Sequence, residues 1–109
     1  MSEDLNSKSD LEGALKLAKR AQAIKADEPA IQDTLGWIYF RMGDLVQAVG
    51  YIDKALSGEP DNQIFNYHMG MALFKSGKTG EAKEKLAKAV ETDKNFIGRK
   101  EAEKILKKL

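Results

Sequence analysis

The sequence predicts an all-α solenoid of helix-turn-helix units, and three observations predict it. The chain repeats itself at an interval of 34 residues, its apolar residues recur at helical spacing within each unit, and glycines and prolines punctuate the joints at matching places. Shifting the sequence by 34 lays Leu35-Gly36 on Met69-Gly70, Tyr39 on Leu73, Gly43 on Gly77, Ala48 on Ala82 and Ala55-Leu56 on Ala89-Val90. Shifted the other way, Ala14, Ala18 and Ala21 fall under Ala48, Ile52 and Ala55. The first ordered segment is therefore the second half of an earlier unit.

Each element follows from this register. The first helix is expected at 10–25, with Ser9 and Glu12 as a reciprocal N-terminal cap. Pro29, behind Asp27 and Glu28, opens a helix at 29–42 whose apolar stripe is Ile31, Leu35, Ile38, Tyr39 and Met42. Gly43 stops that helix, and Asp44 with Gln47 caps the next at 44–57, where small alanines stand at positions of close helix approach. Pro60-Asp61-Asn62 ends it and starts a helix at 62–76, striped by Phe65, Met69, Ala72 and Leu73. Gly77 turns the chain into a helix at 79–92, carrying Ala82, Leu86, Ala89 and Val90. A last helix at 96–108 has its own stripe of Ala102, Ile105, Leu106 and Leu109, with polar residues elsewhere, as suits a solvating cap. Residues 1–9 are expected to be disordered, ahead of one domain at 10–109: a half unit at 10–28, units at 29–62 and 63–95, and a capping helix at 96–109.

Composition narrows the function. A chain of 109 residues suits one domain with a modest core. Its 18 basic and 17 acidic residues give no overall drive toward nucleic acid or anionic membrane. The charge is uneven, with 11 basic against 6 acidic residues from Lys75 onward and 7 against 11 before it, a pattern that solvated helix faces explain. With no cysteine, disulfides, thiolate nucleophiles and cysteine zinc sites are excluded. His68 is the only histidine, so no multi-histidine metal site can form within one chain, and no cofactor is expected. Ser76 lies eight residues beyond it, roughly 12 Å along a helix, out of reach for a catalytic pair. Carboxylate pairs such as Glu81 and Glu84 sit among lysines on solvent faces. The lysines of the last helix lack the interleaved aromatics of a nucleic-acid reader. The apolar runs are too short to span a bilayer, and "MSEDLNSKSD" is unlike a signal peptide. That reads as a soluble chain without membrane insertion, cytoplasmic or periplasmic if excerpted from a longer protein.

One stretch argues for chemistry. "ALFKSGKTG", Ala72 to Gly80, fits a relaxed phosphate-loop pattern with Ala72 in the leading glycine slot. A phosphate loop follows a strand, whereas here a helix precedes Gly77. One unit earlier the same place reads "IYFRMGDLV", with Asp44 in the lysine's slot. Gly77 is thus expected to be a corner between helices, and the chain is expected not to be an enzyme.

The residues Leu35, Gly36, Tyr39, Gly43, Asp44, Ala48, Ile52, Ala55 and Pro60, with Met69, Gly70, Leu73, Gly77, Ala82, Leu86 and Ala89 one unit later, resemble the tetratricopeptide repeat, a helix-turn-helix unit of 34 residues. The resemblance covers Leu11 to Lys94 and implies a right-handed solenoid of about two and a half repeats plus the capping helix. Departures are Gln32 and Asn66 at the family's early aromatic position, Lys94 for a closing proline, Lys83 in the place of Val49, and Arg99 and Glu103 in the slots of Phe65 and Met69. Around Gln32, Asn66, Lys94 and Lys83 looser local packing is expected.

The resemblance implies that the first helix of each unit lines a concave groove that receives a partner's peptide or helix. The inward residues are then Ala30, Asp33, Thr34, Trp37 and Arg41, followed by Ile64, Tyr67, His68, Met71 and Lys75. Asp33 and Trp37 stand where the family's carboxylate clamp would need lysine and asparagine, so binding of an acidic C-terminus through that clamp is not expected. What remains is a surface of Trp37, Tyr67 and Met71 flanked by Arg41 and Lys75, suited to an apolar segment with some acidic character. Tyr67 is the leading contact residue, while packing competes as the role of Trp37 and Met71, and helix-dipole pairing as that of Arg41 and Lys75. The expected function is a protein-interaction scaffold. The alternative is a structural segment of a longer array acting through self-association or intramolecular docking at the uncapped N-terminal helix. The wording "DTLGWIYFRMG" resembles bacterial members found in envelope, secretion or polysaccharide assembly systems.

Overall fold

A computed structural model describes residues 8–91 and 94–109. Six helices follow in chain order: α1 Lys8–Ile24, α2 Pro29–Met42, α3 Leu45–Gly58, α4 Gln63–Lys75, α5 Thr79–Val90 and α6 Arg99–Leu106, with no strand among the described residues. The fold is an all-α solenoid.

Punctuation sets the boundaries. Pro29 occupies the first turn of α2, where its missing N–H costs nothing. Gly43 (φ 88°) and Gly77 (φ 82°) take the left-handed conformation that closes α2 and α4. In both units the residue after the glycine donates its N–H five residues back, Asp44 to Tyr39 and Lys78 to Leu73, each at 2.9 Å. The stretch that resembled a phosphate loop is this corner, with Ala72 to Lys75 inside α4. The Asp44 carboxylate accepts from the Gln47 N–H, and the Asn62 side chain accepts from the Phe65 N–H.

Two ends differ from expectation. α1 begins at Lys8, so Ser9 lies within its first turn rather than capping it, and residues 8 and 9 belong to a helix; residues 1–7 lie outside the described residues. α6 begins at Arg99 instead of 96, because Gly98 at φ 101° interrupts helical geometry and leaves Phe96 and Ile97 in the preceding segment.

Helices of one unit approach closely. A Cβ on Gly36 would lie 2.5 Å from Ile52 Cγ1, and one on Gly70 would lie 2.6 Å from Leu86 Cδ2, so each glycine lets the first helix seat on the second. Ile52 and Leu86 are fully buried there, and burial of each such side chain is worth about 1.5–3 kcal/mol. Gln32 and Asn66, expected to loosen the packing, act as latches instead. The Gln32 amide donates to the Ala26 carbonyl at 3.0 Å and the Asn66 amide to Pro60 at 3.0 Å, each tying a first helix to the turn six residues before it.

Curvature follows from which helices touch. α2 meets α4 and α4 meets α6, whereas α1, α3 and α5 make no such contacts with one another. The layer of α2, α4 and α6 is therefore the tighter, inner one. α6 takes the place of the first helix of a third unit, with Lys104 standing where Gly36 and Gly70 stand.

Candidate functional site

The inner layer carries all eight expected groove residues, on α2 and α4. Asp33 is buried, and His68 Nδ1 lies 2.8 Å from its carboxylate, linking α2 to α4. Since a carboxylate only accepts, Nδ1 of this 13% exposed side chain carries the proton. Trp37 stacks on His68 (centroids 3.9 Å) and on Phe40 (4.6 Å). These rings join the two repeats.

Tyr67 and Met71, both foreseen as ligand contacts, lie in the interior. Each is under 9% exposed, packed with Leu86, Ala89, Ala102 and Ile105 and flanked by Phe96. The Tyr67 ring lies 5.7 Å from Phe96 and 5.8 Å from Trp37. It also presses so closely on Gly98 that no side chain fits between them. Burial pushes the Tyr67 phenol above its ordinary 10.0, and the negative charge of Glu101 adds to the shift. The segment around α6 thus covers what would otherwise be open groove.

Exposure remains at the margins. Arg41 and Lys75 are exposed in the last turns of α2 and α4, and together with Phe40, Met42, Gly43 and Leu45 they line a cleft of about 440 Å³. Ile64, 43% exposed, stands at the opposite end of α4 beside Phe96. Thr34 is exposed between the two ends, its hydroxyl donating to the Ala30 carbonyl. Ile64 and Lys75 are eleven residues apart, roughly 16 Å along the helix axis. The expected cluster is thereby divided into three buried residues (Asp33, Tyr67 and Met71), a partly buried floor (Trp37 and His68) and an exposed rim (Arg41, Ile64 and Lys75).

Sequence reasoning missed Phe40 and Phe74 as parts of this surface, although they are aromatics one period apart that pack against both larger core clusters. It also missed the Asp33–His68 pair. Their separation of 35 residues is one more than the repeat, so no superposition of units aligns them.

Among the described residues, no group of three His, Asp or Glu is placed to hold a metal, and no helix is long and apolar enough to cross a membrane.

Comparison with known proteins places a tetratricopeptide repeat profile on residues 30–62 and again on 65–96. A TPR repeat-containing protein of Pseudomonas aeruginosa is 39% identical over 51 residues, which amount to 47% of this chain and 9% of that protein. The chain thus matches only a small part of that bacterial relative's length.

Proposed function

Since the chain belongs to the tetratricopeptide repeat family, whose repeats mediate protein–protein interaction, we propose that it is a non-catalytic scaffold that receives a partner segment on the inner surface of α2 and α4. The observation that carries this reading is Trp37, half-buried on that layer and held against His68 and Phe40, with the exposed rim residues on either side of it. A rigid aromatic floor gives contact area at low entropic cost. Arg41 and Lys75 at one end favour an acidic terminus or side chain on the partner, and Ile64 at the other favours an apolar one. To bridge them the partner segment needs about five extended residues. Tyr67 and Met71 serve the reading as support beneath the floor.

The test is to isolate the partner by cross-linking in source cells and to compare its binding to Thr34→Arg and Ile64→Glu variants, both exposed sites that leave the core intact. Trp37 is the sole tryptophan, so its fluorescence reports occupancy directly. Loss of binding in these variants, with binding kept by Asp53→Lys on α3, is the expected result. Undiminished binding in both groove variants overturns the reading.

A second reading, self-association or docking within a longer array, is favoured by α1. Leu17 (65% exposed) and Ile24 (81%) are large apolar residues left at the surface of α1. Sedimentation of the wild type against Leu17→Lys with Ile24→Lys decides it, since a monomer at all concentrations removes self-association.

A further inference from the structure

We infer a second docking surface, continuous with the Arg41–Lys75 end of the groove, along the edge of the molecule where α2 and α4 end and α1, α3 and α5 begin, fitted to an extended protein segment that alternates acidic and apolar residues. Three adjoining clefts of about 440, 320 and 350 Å³ form it. They share walls. Leu45 separates the first from the second, which also contains Val46, Val49 and Lys78, and Arg41 with Met42 separates the first from the third, which reaches Lys8 and Leu11.

Apolar side chains line the hollows and cations stand around them. Val46 is 85% exposed there, although no packing requires an apolar residue at that position. Lys8, Arg41, Lys75 and Lys78 are all exposed on this edge, and the Asp33–His68, Asp61–Lys88 and Glu103–Arg99 ion pairs lie elsewhere. Of the acids nearby, Asp44 accepts from the Gln47 N–H and Asp10 has an interaction of its own; both keep their negative charge, which the four cations exceed. The edge therefore carries unbalanced positive charge beside apolar hollows, which is the complement of an acidic, apolar segment.

The placement of the cations separates this from helix-dipole pairing. Arg41 and Lys75 lie in last turns, where a cation is favoured. Lys8 and Lys78 lie at the starts of α1 and α5, where a cation is disfavoured. Position 78 is also the repeat equivalent of Asp10 and Asp44, and Lys78 makes no side-chain cap for α5. A capping aspartate is thus replaced by a lysine that harms its own helix and completes the cationic edge. Separate hollows favour a peptide's side chains over a flat lipid surface.

The test uses the full chain, labelled for backbone amide shifts. It is titrated with a short synthetic peptide alternating Glu and Leu, with its Lys-Leu counterpart, and with phosphatidylserine vesicles. The expected result is saturable movement at Gly43, Val46, Gly77 and Lys78 with the Glu-Leu peptide alone. Binding should weaken roughly tenfold or more in a Lys8→Glu/Lys78→Glu variant, as reversal of two rim charges implies. Both substitutions put an acid at a helix start, which helps the helix, so the loss cannot come from unfolding. Ile64→Glu, at the end of the groove far from this edge, should leave the shifts at Val46 and Lys78 unchanged, so this surface and the groove fail separately. No movement, movement confined to the Trp37 indole and His68, binding of both peptides alike, or binding of vesicles alone overturns the inference.

Discussion

The His68 imidazole donates from Nδ1 to the Asp33 carboxylate at 2.8 Å, so a residue of the second repeat supplies the hydrogen-bond donor for a buried acid of the first. Removing the histidine leaves that acid without its partner. His68→Ala is expected to cost about 1–3 kcal/mol of stability, and Asp33→Asn less, because an amide still accepts the hydrogen bond. Urea unfolding of both single variants and the double variant measures the coupling, and strict additivity would contradict a direct link.

Gly70 is the seat of α4 on α5. A Cβ there meets Leu86 at 2.6 Å and the Leu86 backbone nitrogen at 3.2 Å, so relief requires moving backbone as well as side chain. Gly70→Ala should destabilise by about 1–3 kcal/mol despite the better helix propensity of alanine. Thermal unfolding followed by circular dichroism reads the change.

Tyr67 makes stability depend on alkaline pH. Its phenol is raised above 10.0 in the folded state, so between that value and the raised one the folded chain holds a proton that the unfolded chain has lost. The associated stability is therefore complete below pH 10 and declines as pH rises through the folded value. Absorbance titration of tyrosinate should show a late-ionising phenol that vanishes in Tyr67→Phe and moves down in Glu101→Gln.

Gly98 combines a left-handed backbone with direct contact against the Tyr67 ring. Gly98→Ala should displace the segment that covers Tyr67, with a loss of more than about 1 kcal/mol. Faster amide exchange in α6 than in α2 would mark the loosening as local.

The helices were legible because their boundaries depend on neighbours in sequence. Pro29 and Gly43 bracket α2 at the residues expected, since a missing donor and a positive φ act within one turn. The start of α6 was not, because Gly98 reads as an ordinary helix residue until its φ of 101° is known. In the site, Arg41 and Lys75 were legible as exposed cations one period apart. The burial of Tyr67 and Met71 was hidden, because it depends on Phe96, Ala102 and Ile105, which belong to the one helix that departs from the repeat and the segment before it. Gln32 and Asn66 looked like flaws against an aromatic standard, and only the turn carbonyls beside them explain two amides in equivalent slots.

Those two latches bear on how such a chain gains length. Each bond closes over six residues and crosses the joint between one unit and the next, from 26 to 32 and from 60 to 66, so a 34-residue tandem duplication reproduces the same joint. A duplicated unit brings an amide for the turn before it and a turn for the amide after it, so the same bond can form at each new joint. Copy number can then change in a single genetic event without a compensating mutation elsewhere, which leaves the surface residues of each copy free to diverge toward different partners.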